Sequence, residues 1–111
     1  MLNITGLNSF FFVRDFHDMR CKYDKVLSII HQQLNREPED GDVFIVMSKD
    51  LRLVRLFSYD RRSYSMFEKR FRPGYQFMHV TCNGAESIYS INWQDVILLL
   101  ESPVVKRLII K

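Results

Sequence analysis

The sequence predicts an α+β fold: an antiparallel meander sheet of about five strands, one long amphipathic helix packed on it, and a short C-terminal helix. Three observations carry this expectation. The chain has 111 residues, the usual size of one domain with one hydrophobic core. It holds nine Phe and five Tyr, a composition that suits strands better than a helical bundle. Several short apolar runs bounded by turn residues alternate with one long stretch at helical spacing. Residues 1–111 are therefore expected to form a single domain, with residues 103–111 as a C-terminal arm.

Ser9 to Arg14 is an aromatic and β-branched run that reads as the first strand. Asp18 then offers a carboxylate to the free N–H groups of a helix start. Met19, Tyr23, Val26, Leu27, Ile30 and Leu34 fall on one face of that helix, opposite Lys22, Lys25, Ser28 and Gln32. Pro38 and the Asp40-Gly41 turn break it. The next run, Val43-Phe44-Ile45-Val46-Met47, is apolar at every position, as expected of a central strand covered on both faces.

Lys49-Asp50 connects to a strand from Leu51 to Tyr59, and Asp60-Arg61-Arg62-Ser63 turns the chain into another from Tyr64 to Arg72. Short connections between successive strands imply the meander. Pro73-Gly74 closes this part. Tyr75 to Thr81 and Ser87 to Ile91 are further strands. Asn92 with Asp95 resembles a capping box, opening a helix from Trp93 to about Glu101 that buries Trp93, Val96, Ile97 and Leu100. The apolar tail ending Leu108-Ile109-Ile110 reads equally as an edge strand or as a helix that docks on a partner.

The net charge is +3, but its distribution says more than its sum. Residues 1–48 carry five bases against seven acids. Residues 49–72 carry eight bases (Lys49, Arg52, Arg55, Arg61, Arg62, Lys69, Arg70, Arg72) against Asp50, Asp60 and Glu68, a local balance of +5. One segment thus holds the whole basic excess. Cys21 and Cys82 share no metal or redox spacing, and reduced thiols in a cytoplasmic protein are the plain expectation. No apolar run approaches the ~20 residues of a membrane span, and no membrane partner is expected.

Catalytic signatures are weak. Asp15, His17 and Asp18 lie together, but their spacing fits no established metal site and suits helix capping. His31 and His79 lack companions in sequence. The glycines, Gly6, Gly41, Gly74 and Gly84, are too scattered for a phosphate-cradling loop. Asp50, Asp60 and Glu68 sit among arginines, where ion pairing is a simpler account than two-metal chemistry. No cofactor, no metal and no catalytic residue is expected, so the chain reads as a non-enzyme.

The basic segment is the candidate nucleic-acid site, with Arg52, Arg55, Arg61, Arg62, Lys69, Arg70 and Arg72 as phosphate contacts and Tyr59 and Tyr64 as stacking rings. Strand alternation complicates a uniform face. Arg52 and Arg55 point to opposite sides, whereas Glu68, Arg70 and Arg72 share a side with Tyr64 and Met66, and Lys69 accompanies Phe67 and Phe71. The plainer alternative is a solvated sheet face whose long side chains shield an edge strand.

Several phrases, read in order, carry a resemblance. They are Asp18-Met19-Arg20, Gly41-Asp42-Val43-Phe44-Ile45, Arg55-Leu56-Phe57 with Asp60, Lys69-Arg70-Phe71, Gly74, and Trp93 with Leu98-Leu99-Leu100-Glu101. From about Phe12 to Glu101 the chain resembles the small accessory protein, TnpB, encoded by the second reading frame of IS-sixty-six-type insertion sequences. It does not resemble the RNA-guided nuclease that shares that name. The chain departs from the family at Ser58-Tyr59-Asp60-Arg61, where a Tyr-Trp-Asp-Gly type of turn is usual, and residues 80–91 look like an insertion. The resemblance implies a bacterial mobile-element protein that works beside a separate transposase, with DNA as a further expected partner. A protein-binding scaffold without nucleic-acid contact is the alternative.

Overall fold

The computed structural model describes residues 8–14, 23–60, 62–77, 79–82, 84, 88–101 and 107–110. In chain order the elements are β1 (Ser9–Val13), α1 (Tyr23–Leu34), β2 (Asp42–Met47), β3 (Leu53–Tyr59), β4 (Tyr64–Arg70), β5 (His79–Cys82), β6 (Ile88–Ile91), α2 (Trp93–Glu101) and β7 (Arg107–Ile110). The fold is α+β, but its main sheet is mixed and is not an antiparallel meander. Its order is β4-β3-β2-β1-β6, with β5 and β7 forming a separate two-stranded sheet.

The meander expectation holds locally and fails at β1. β2, β3 and β4 are antiparallel neighbours joined by short turns. β1, however, lies parallel to β2, pairing Phe10 with Val43 and Phe12 with Ile45. A parallel pair needs a crossover, and α1 supplies it. β6 then pairs antiparallel on the far side of β1. The expected strand from Tyr75 begins only at His79, and β5 leaves the main sheet to pair parallel with β7. The described part of the C-terminal tail, Arg107–Ile110, is therefore a strand, and Ile110 is buried.

The long amphipathic helix is also corrected. α1 has 12 residues, and the expected first turn at Asp18 and Met19 lies outside the described residues. Val26 and Ile30 are fully buried as the spacing requires, while Lys25, Ser28 and Gln32 are exposed. The helix ends at Asn35, whose positive φ of 55° is the left-handed conformation that closes helices, its N–H donating to the His31 carbonyl.

Each face of the sheet has its own core. On one side α1 covers Val13, Phe44, Val46, Phe57, Tyr59 and Ile88. On the other, α2, Phe77 and Ile110 cover Phe10, Phe12, Val43, Ile45, Val54 and Leu56. This double cover explains why every residue of β2 is buried. α2 starts at Asn92, whose side-chain oxygen accepts from the Asp95 N–H at 2.9 Å. It buries Val96, Leu99 and Leu100, whereas Trp93 is exposed and Ile97 only half-buried, contrary to expectation.

One buried ion pair fixes the entrance to β2. The carboxylate of Asp42, 4% exposed, accepts from Arg36 Nη1 at 2.9 Å and from the Glu39 N–H at 2.9 Å. The Arg36 guanidinium also lies 5.9 Å over the Phe11 ring. Together these contacts tie the loop after α1 to both β1 and β2.

Candidate nucleic-acid interface

β3 and β4 form a hairpin at the edge of the sheet, with Leu53 facing Arg70, Arg55 facing Glu68, Phe57 facing Met66 and Tyr59 facing Tyr64. All eight residues lie on the α1 side of the sheet. α1 covers Phe57 and Tyr59 but leaves much of β4 bare: Tyr64 is 49% exposed and Met66 45%.

The hairpin turn is held by one carboxylate. Asp60 accepts from the Arg62 N–H at 2.8 Å, the Ser63 N–H at 2.8 Å and the Ser63 hydroxyl at 3.0 Å. These bonds, the Arg62 amide first, hold the Asp60 carboxyl below its usual range. The opposite end of β3 has a related device. Asp50 accepts from the Ser48 hydroxyl at 2.6 Å and from the Arg52 N–H, and it is likewise lowered. The charges of Arg52 and Arg70 add to that shift. Leu51 takes a positive φ of 61° in this turn, an unusual conformation for a γ-branched side chain.

The eight bases of residues 49–72 separate into two groups. Arg55, Lys69 and Arg52 make structural contacts. Arg55 Nε donates to Glu68 Oε1 at 2.7 Å across the strands. Lys69, on the opposite face, donates to the Leu100 carbonyl at 2.6 Å, where the C-terminal end of α2 presents partial negative charge. Arg52 is half-buried and reaches the Phe71 carbonyl through Nη2 at 3.4 Å. The second group, Arg62, Arg70 and Arg72, is exposed, as is Lys49. Arg61 lies outside the described residues.

The stacking candidates separate in the same way. Tyr59 is buried, its ring edge-on to Phe44 at 5.7 Å, and so is not presented to a base. Tyr64 is presented. The cluster of Asp15, His17 and Asp18 lies outside the described residues, and among those described no group of three His, Cys, Asp or Glu is placed to hold a metal. Among the described residues no helix is long and apolar enough to cross a membrane.

Met66 is the exposed residue that the sequence reading undervalued. Its signal was present, because a methionine that follows Ser65 and shares its strand face with Glu68, close to a turn, is a poor fit for a buried core. A shallow cleft of about 290 Å³ lies elsewhere, lined by Phe12, Arg14, His79, Val80, Thr81 and Cys82, away from the basic hairpin.

Residues 8–108 match the family described as IS66 Orf2 like protein. The chain belongs to that family. The match runs from the start of β1 into β7 and so includes the basic hairpin and nearly all of both cores. For an IS66 Orf2-like protein this implies a role in insertion-sequence transposition. No curated protein and no solved structure matches the chain. Within the IS66 Orf2-like chain the phrase Lys69-Arg70-Phe71 joins three different environments: Lys69 holds α2, Arg70 is exposed on the strand face of Met66, and Phe71 packs on Phe77 with ring centroids 4.2 Å apart.

Proposed function

We propose that this IS66 Orf2-like protein is a non-catalytic accessory factor that contacts the DNA of the insertion sequence and works beside the partner transposase. The observation that carries the reading is the exposure of Arg62, Arg70 and Arg72 at the two ends of β4, the strand that also presents the half-exposed Tyr64. Guanidinium groups on an open edge suit phosphate oxygens, because the planar fork matches them and is always charged. Arg52, Arg55 and Lys69 hold the scaffold that presents these three.

Titration of the full chain with element-end DNA at two salt concentrations tests the reading. Binding that weakens steeply with salt and is at least about ten-fold weaker in the combined Arg62→Ala, Arg70→Ala, Arg72→Ala variant is the expected result. Absence of binding, or binding indifferent to the triple variant, removes DNA from the account.

A second reading, a protein-binding scaffold with no nucleic-acid contact, is favoured by the exposed Trp93 and Leu98 on α2, 38% and 45% exposed. Capture of the transposase that survives high salt and is lost in Trp93→Ala supports it, since an apolar contact outlasts screening.

A further inference from the structure

The bare face of β4 has a charge pattern that selects among nucleic acids. The geometry points to single-stranded nucleic acid, bases stacked on Tyr64 and Met66 and backbone held at the two ends of the strand, as the ligand of this face. The inference rests on the DNA-contact reading above and narrows it.

Three features of the face argue for this ligand. The first is the apolar centre. Tyr64 and Met66 sit two residues apart on one face of an edge strand, both close to half-exposed. A duplex hides the faces of its bases, so its surface offers such a pair nothing to stack on. An unpaired base offers its π-face, and base–aromatic stacking tolerates any sequence. The thioether of Met66 extends the same surface, since sulfur packs favourably against rings.

The second feature is local neutrality beside that centre. Glu68 would repel a phosphate, but Arg55 lies 2.7 Å away and cancels its charge. The exposed arginines are displaced outward, Arg62 at the hairpin turn beside Asp60, and Arg70 and Arg72 at the opposite end, where bases outnumber the single acid Asp50. From Tyr64 to Arg70 the strand runs about 20 Å at the ordinary rise per residue. That length accommodates a few extended nucleotides, with bases over the middle and phosphates toward the ends.

The third feature is what frames the strip. α1 packs over Phe57 and Tyr59 on the neighbouring strand, so the strip is bounded on one side by the helix layer and open on the other. A flexible single strand can follow such a strip, its bases turned toward the open rings.

Fluorescence anisotropy of the full chain with a short labelled mixed-sequence single strand, and with the duplex of the same sequence, separates the outcomes. The expected result is tighter binding of the single strand. Tyr64→Ala lowers that affinity about five-fold or more, Tyr64→Phe keeps it, and duplex affinity changes little in either variant. Circular dichroism of both variants matches the parent, because the ring is half-exposed. Equal or tighter binding of the duplex, or indifference of the single strand to Tyr64→Ala, overturns the inference; if the combined Arg62→Ala, Arg70→Ala, Arg72→Ala variant still weakens binding, the broader DNA-contact reading stands. Binding of neither form overturns both.

Discussion

Arg55 and Glu68 face each other across β3 and β4, Nε to Oε1 at 2.7 Å, on the sheet face that also carries Tyr64, Met66 and Arg70. The pair neutralises the middle of a segment whose sequence is strongly basic. Charge on this hairpin is therefore concentrated at its ends, where Arg62, Arg70 and Arg72 are exposed.

Glu68→Gln should release the Arg55 charge to the surface. DNA affinity is expected to rise, with the dependence on salt steeper by about one ion. The stability cost should be small, within about 1 kcal/mol, because Glu68 is 38% exposed and solvent screens the pair. Denaturant melts and salt titrations read both effects.

Lys69→Ala separates scaffold from contact. Removing its bond to the Leu100 carbonyl leaves the end of α2 without its cation, and a loss of about 1 kcal/mol in denaturant stability is expected. DNA affinity at a temperature where the variant is folded should match the parent. A loss as large as that of Arg70→Ala would mean that Lys69 contacts DNA directly.

Asp42→Ala should be the most damaging single change outside the apolar core. It strips the partner from Arg36 and from the Glu39 N–H at a site where the carboxylate is 4% exposed. A loss of about 3 kcal/mol is expected from equilibrium unfolding. Arg36→Lys should retain part of it, since an ammonium supplies the charge without the fork.

Acid should loosen the hairpin turn. The folded pKa of Asp60 lies below its unfolded value, so its contribution to stability is complete above about pH 4 and is lost as pH falls through the folded pKa. Asp50 acts in the same direction at the other turn. Protection of the Arg62 and Ser63 amides, measured against the intrinsic exchange rate at each pH, should fall below that pH, and Asp60→Ala should abolish this acid dependence while lowering protection at neutral pH.

Much of the fold was legible where local chemistry decides it. The apolar Val43–Met47 run of β2, the β3–β4 hairpin and the Asn92 cap of α2 are each fixed by residues close in sequence. The parallel placement of β1 beside β2 was not legible, because nothing in either run distinguishes a parallel from an antiparallel neighbour. Nor was the pairing of β5 with β7, two runs of four residues far apart in the chain. Alternation correctly separated Arg55 and Arg70 from Lys69, but it could not say which face a helix would cover. The burial of Tyr59 and the exposure of Tyr64 follow from the position of α1, which is a tertiary fact.

The central claim is that the exposed arginines of the β4 edge, and not the basic segment as a whole, hold DNA. The logarithm of the binding constant against the logarithm of salt concentration tests it, for the parent, the Arg62→Ala, Arg70→Ala, Arg72→Ala variant and the Lys69→Ala variant. The predicted result is a slope shallower by about two to three in the triple variant and unchanged in Lys69→Ala. Equal slopes for the parent and the triple variant would contradict it.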